Sequence, residues 1–179
     1  MILYGASGLT QRQQAHDLLA KAAETHWGLF PLPPLERGPK GKPFFPGRED
    51  LTFNLSHSGS LALCALGGTP VGVDIQIVRA WRPGLPRRVC SPRELAWLGE
   101  GPDFWERFCQ LWALKESLVK QRGTGLTHPI SAIQVPLPTG EGLLMEQDGL
   151  WFRTYCGAGW RGAACGLEQP PEDIQWMTL

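Results

Sequence analysis

No hydrophobic run in this chain is long enough to cross a bilayer: the stretch Leu61–Leu66 falls far short of the ~20 apolar residues that a spanning helix needs. Neither sign of charge prevails. Lys plus Arg and Asp plus Glu number 17 each, so the whole-chain field offers no general attraction to nucleic acid or anionic lipid, and an anionic ligand needs a local cluster. Cysteine pairs of the CxxC kind are missing. The five cysteines, Cys64, Cys90, Cys109, Cys156 and Cys165, are odd in number, which suits a reducing compartment better than a disulfide framework. The stretch Met1–Thr10 lacks the basic start and long apolar segment of a secretory signal. The expectation is a cytoplasmic protein with no membrane and no nucleic-acid partner. What is present, 42% hydrophobic and 19% charged residues over 179 positions, suffices to bury a core as one domain or two small ones.

Periodicity sets the expected elements. Ile2–Tyr4 is a short strand candidate, and Gln11–Trp27 reads as a helix through Ala15, Leu18, Leu19, Ala22 and Ala23, ended by Gly28. Phe30–Pro46 is dense in proline, glycine and basic residues, which predicts an exposed, stiff loop of the kind that often carries ligand contacts. Leu51–Leu55 reads as extended, Ser56–Ser60 as a polar turn and Leu61–Leu66 as a buried strand. From Val71 to Val78, the residues Val71, Val73, Ile75 and Ile77 alternate with Gly72, Asp74 and Gln76, so Asp74 and Gln76 share one strand face. Ser91 and Glu94 form a capping box for a short helix through Leu98. A longer helix is expected from Asp103 as N-cap to Arg122, closed by Gly123. Short strands follow at Ala132–Pro136, Gly142–Glu146, Leu150–Tyr155 and Arg161–Leu167, and Glu168–Leu179 reads as coil. Hairpin spacing of the late strands predicts an α+β fold and not a parallel doubly wound sheet.

On the long helix, Phe104, Phe108, Leu111, Trp112, Leu118 and Val119 make an apolar arc with Glu116 and Lys120 at its edge. Taken alone, Glu116 and Lys120 are a surface i,i+4 pair that stabilises the helix by about 0.2–0.5 kcal/mol. Lys115 falls at the centre of the arc, where an ammonium must snorkel outward or find an anion. An acid on a strand face, Asp74, and another on a helix edge, Glu116, are a pair able to hold a hard cation such as Mg²⁺, although Asp74 also reads as an ordinary solvent-facing strand residue. Ser56-His57-Ser58 is equally a polar turn or a set of donors for phosphate oxygens.

Four segments occur in order: Gly41-Lys42-Pro43-Phe44, then Phe53-Asn54-Leu55-Ser56-His57-Ser58-Gly59, then Gly72-Val73-Asp74-Ile75, then Trp112-Ala113-Leu114-Lys115-Glu116-Ser117-Leu118-Val119-Lys120. In order and spacing they closely resemble the signature of Sfp-type 4′-phosphopantetheinyl transferases, and Gly123-Thr124-Gly125-Leu126 is similar to the family's glycine turn after its catalytic helix. The resemblance implies a pseudo-twofold pair of α+β lobes with coenzyme A and Mg²⁺ between them. Split near residue 70, the chain would have an N-terminal lobe, 1–70, carrying the first two motifs, and a C-terminal lobe, 71–179, carrying the metal-binding strand and catalytic helix. By the same resemblance Lys42, Ser56 and His57 would hold the coenzyme's phosphates, Asp74 and Glu116 would bind the metal, and Lys120 would sit near the reacting phosphate. Glu116, or a water on the metal, would take the proton of the serine of an apo-acyl or apo-peptidyl carrier. A monomer is expected.

The sequence departs from the family's pattern twice. Gln76 stands where members usually carry a further acid, so one metal ligand is neutral or replaced by water. Only 41 residues precede Lys42, which implies a shortened first lobe with no evident counterpart of the family's more N-terminal basic residues. Two other readings compete with an active transferase: a non-catalytic module that binds coenzyme A or a carrier, and an unrelated magnesium phosphoesterase using Asp74 and Glu116.

Overall fold

The computed structural model describes residues 1–125, 129–140 and 142–179, so Leu126 of the glycine turn lies outside the described residues. In chain order the elements are β1 (Ile2–Ser7), α1 (Gln14–Trp27), β2 (Glu36–Arg37), β3 (Pro43–Phe44), β4 (Thr52–Ser58), β5 (Leu61–Gly67) and β6 (Val71–Ile77). They continue with α2 (Leu85–Val89), α3 (Pro92–Leu98), α4 (Phe104–Arg122), a 3₁₀ turn (Ile130–Ala132), β7 (Leu144–Gln147), β8 (Leu150–Gly157), β9 (Trp160–Gly166) and β10 (Gln175–Met177).

The α+β expectation holds, and its two halves share a plan. In the first, β1 pairs antiparallel with β5, which pairs with β4, and α1 lies against this sheet. In the second, β6 pairs antiparallel with β9, which pairs with β8, and α4 lies against it. Each half is thus a strand, a helix and a hairpin whose second strand lies in the middle. Leu3, Leu63, Ala65, Val71, Val73 and Ile75 fill a third core where the halves meet. Their side chains come from alternate positions of β1, β5 and β6, as a pleated sheet packed on both faces requires.

Three local expectations are corrected, and one short helix is added. Ser56, His57 and Ser58 are not a turn; they continue β4, and only Gly59-Ser60 turns before β5. Ser56 and Ser58 are polar because their partners lie on β6, while His57 between them is exposed. Ala132–Pro136 forms no strand: a 3₁₀ turn stands at Ile130–Ala132, and the Ile130 carbonyl is held by Lys115 Nζ at 2.9 Å. The polar tail is not all coil, since β10 pairs parallel with β1. Helix α2 had no periodicity to announce it, being five residues long.

Helix α4 is buried on more sides than one apolar arc implies. β6 and β9 cover one side, while residues of α2 and α3 cover another. Lys115 does not snorkel: its side chain is 3% exposed and its ammonium meets Glu94 Oε2 at 2.7 Å and the Val89 carbonyl at 2.9 Å. Glu94 also accepts from the Ser91 amide in the expected capping box, so one carboxylate ties the start of α3 to the middle of α4. Removing one partner of such a buried pair typically costs about 3–5 kcal/mol. Asp103 stands at the N-cap position without capping; its carboxylate bonds Arg107 instead.

Candidate active site

The side chains expected to carry chemistry lie where the β4 edge of one sheet meets the β6 edge of the other. Strand β6 brings Asp74, α4 brings Glu116 and Lys120, and β4 brings Ser56. Asp74 is buried, and its Oδ1 accepts from Lys120 Nζ at 2.6 Å and from the Ser56 hydroxyl at 2.7 Å. Lys120 also donates to Ser56 Oγ at 2.9 Å and to the Val73 carbonyl at 3.2 Å. Gln76, on the same face of β6 as Asp74, donates its amide to Asp74 Oδ2 at 2.7 Å. The neutral residue at this position is therefore a hydrogen-bond partner of the acid.

Glu116 has its pKa raised above the ordinary carboxyl value, first by burial and then by the negative charge of Asp74, with Lys120 opposing. A carboxyl group that lies within the field of a second carboxylate, as Glu116 does beside Asp74, suits a divalent cation with oxygen ligands. Among the described residues, no three His, Cys, Asp or Glu side chains gather into a metal cluster. Mg²⁺ would thus depend on these two acids, the Gln76 amide and oxygens of a ligand, which fits an ion that usually keeps several waters and binds substrate phosphates.

Beside this centre runs a groove of about 270 Å³ lined by Lys40, Gly41, Lys42, Asn54, Glu116 and Lys120, among others. A larger groove of about 560 Å³ lies elsewhere, along Trp97, Asp103 and Arg107, and contains none of the expected residues. Lys42 lines the smaller groove with its ammonium turned inward, donating to the carbonyls of Val71 at 3.1 Å, Lys120 at 2.6 Å and Gln121 at 3.3 Å. Burial pushes its pKa down to about 8. His57 is exposed on β4, and its pKa is lowered by burial and by the charges of Arg12, Lys120 and His16, with Asp74 acting in the opposite sense.

Arg12 and His16 were missed by the sequence reading. They belong to the start of the first helical region, whose periodicity reports only its apolar face, so their approach to His57 is visible only once α1 packs on the first sheet. Lys40, Lys42 and Lys120 line the groove, while Arg12 and His16 are close enough to His57 to act on its charge.

Such a fold and site define a class of protein: two α+β halves whose junction gathers paired acids and a row of cations suited to phosphate chemistry. Residues 70–165 match the family model of the 4′-phosphopantetheinyl transferase superfamily. A 4′-phosphopantetheinyl transferase of Bacillus subtilis is 38% identical over 121 residues, covering 64% of this chain and 54% of the relative. The 4′-phosphopantetheinyl transferase Sfp of Bacillus subtilis strain 168 is 32% identical over 146 residues, 77% of this chain and 65% of the relative. The 4′-phosphopantetheinyl transferase AcpT of Salmonella typhi is 39% identical over 121 residues, 62% of this chain and 60% of the relative. The chain belongs to the 4′-phosphopantetheinyl transferase superfamily. It spans 54–65% of the length of these relatives.

Proposed function

We propose that this chain transfers the 4′-phosphopantetheine group of coenzyme A to a serine of an apo-acyl or apo-peptidyl carrier protein, releasing 3′,5′-ADP. The observation that carries the reading is the convergence of Asp74, Glu116 and Lys120 at one point beside a cation-lined groove in a member of this superfamily. The serine hydroxyl attacks the phosphorus that bears pantetheine, and the bond from that phosphorus to the oxygen of the departing 3′,5′-ADP breaks. Glu116 is the candidate acceptor of the serine proton, because its raised pKa brings it nearer the operating pH. Lys120 offsets charge that develops on the departing phosphate. Lys42, Ser56 and His57, with Arg12 as an addition from the structure, are assigned to the coenzyme's phosphates. Bound by Asp74 and Glu116, Mg²⁺ would supply charge neutralisation and in-line geometry at the pyrophosphate. The same reading divides the chain into lobes 1–70 and 71–179 and makes it a cytoplasmic monomer serving fatty-acid, polyketide or nonribosomal-peptide synthesis. Among the described residues no helix is long and apolar enough to cross a membrane.

The test is chromatographic detection of 3′,5′-ADP from coenzyme A and Mg²⁺, with and without a panel of apo-carriers. Release only when an apo-carrier is present, lost in folded Asp74→Ala and Glu116→Ala variants, is the expected result. Phosphate or nucleotide release without any carrier would favour a phosphoesterase. Coenzyme A binding with no release under any condition would favour a binding module.

A further inference from the structure

Strand β6 lies at the edge of its sheet, with β9 on one side and, among the described residues, no strand pairing on the other. An edge of this kind leaves a row of N–H and C=O groups without partners, which is costly where the strand is buried. Here side chains take the place of the missing strand. The amides of Val73, Ile75 and Ile77 donate to Asn54 Oδ1 at 2.8 Å, Ser56 Oγ at 3.3 Å and Ser58 Oγ at 3.0 Å. The carbonyls of Val71 and Val73 accept from Lys42 and Lys120. β4 is itself the edge of the other sheet, so side chains at every second position of one edge meet amides at every second position of the other.

We propose that Asn54 and Ser58 are positioning residues: with Ser56 between them they form a ladder that fixes the register of β6 against β4 and so aims Asp74 at Lys120. Asp74 lies between the rungs at Val73 and Ile75, and the middle rung, Ser56, is also the hydroxyl that donates to Asp74. A loosened outer rung therefore shifts the strand that carries the acid while leaving Asp74, Glu116 and Lys120 unaltered in chemistry. Two of the sequence motifs are bound to each other by this contact. The ladder stands on geometry alone; its consequence for the metal rests on the transferase reading above.

Amide hydrogen exchange followed by NMR on the full, metal-free chain reads the ladder directly. Val73, Ile75 and Ile77 are expected to exchange slowly in the wild type although no strand pairs with that edge. Asn54→Ala should accelerate Val73, and Ser58→Ala should accelerate Ile77, by about ten-fold or more with β1 and β5 unchanged, whereas Ser58→Thr keeps the protection. Mg²⁺ titration in the presence of coenzyme A, followed by the Asp74 amide resonance and by transfer rate, reads the positioning. Half-saturation should move up by about ten-fold in the alanine variants and return in Ser58→Thr, with kcat at saturating Mg²⁺ moving less. Fast exchange at the three amides in the folded wild type overturns the ladder, whether or not the variants fold. Altered exchange with unaltered Mg²⁺ half-saturation overturns the positioning role. A wild type that protects the three amides but neither responds to Mg²⁺ nor transfers would sustain the ladder and overturn the transferase reading together with the positioning role.

Discussion

At Asp74 a hydroxyl, an ammonium and a carboxamide converge on one buried carboxylate, from Ser56, Lys120 and Gln76. Lys120 holds the acid at 2.6 Å, so a cation bound there must share Asp74 with the lysine or displace it. Gln76 is where this chain departs from the signature it resembles; its amide donates to Asp74 Oδ2 at 2.7 Å, and the proposed function requires that a neutral residue be tolerated there. On the proposed function Asp74, Glu116 and a ligand's phosphates would supply the anionic oxygens, so a neutral residue at this position would weaken metal binding more than it impairs the chemistry. Gln76→Glu should therefore lower the Mg²⁺ concentration for half-maximal transfer, with kcat changed less. An unaltered Mg²⁺ dependence would place Gln76 outside the metal's ligands, and an inactive wild type rescued by Gln76→Glu would refute tolerance. The paired acids were legible in the sequence because strand alternation put Asp74 on a face and helical spacing put Glu116 on an edge. The partners of Lys42 were not: three backbone carbonyls leave no trace in residue identity.

Between elements, α4 comes close to the β6 backbone at Gly72. A Cβ built there would stand 1.9 Å from the Ser117 carbonyl oxygen and 2.5 Å from the Gln121 nitrogen, both backbone atoms of α4 that no side-chain rotation can move aside. Gly72→Ala is therefore expected to destabilise by at least about 1–3 kcal/mol, as overpacking of a filled core does, and to lower transfer by pushing α4 away from Asp74. Thermal unfolding and transfer rate measured together check it; a variant as stable and active as the wild type would mean that the helix and strand are less tightly apposed. The β6 strand was legible from Val71, Val73, Ile75 and Ile77, but the extent of β4 was not. Ser56 and Ser58 read as turn chemistry because serine favours turns, and the period of two that they share with Asn54 has meaning only once β6 lies opposite. Lys115 shows the same limit: its position inside the apolar arc left it to snorkel outward or find an anion, and only the folded chain decided between them by supplying Glu94.

Across the whole molecule, a strand, a helix and a hairpin recur in each half, and the candidate site lies where the first half's β4 edge meets the second half's β6 edge. The repeat had no counterpart in visible sequence similarity, since each half fills its core with different residues while keeping the same order of elements. β10 was hidden for a related reason: its pairing partner, β1, lies at the opposite end of the described chain, and Gln175–Met177 carries no alternation of its own. A site built at a junction depends on both halves holding their places, and it leaves the groove beside Lys42 and Lys120 open to a ligand. The most direct measurement of the central claim is intact-mass analysis of several apo-carriers after incubation with this chain, Mg²⁺ and coenzyme A. The account predicts that at least one carrier gains the mass of a single phosphopantetheine group on its serine, with no gain when Mg²⁺ is chelated. No gain on any carrier of a varied panel, with the chain folded and metal present, would contradict it.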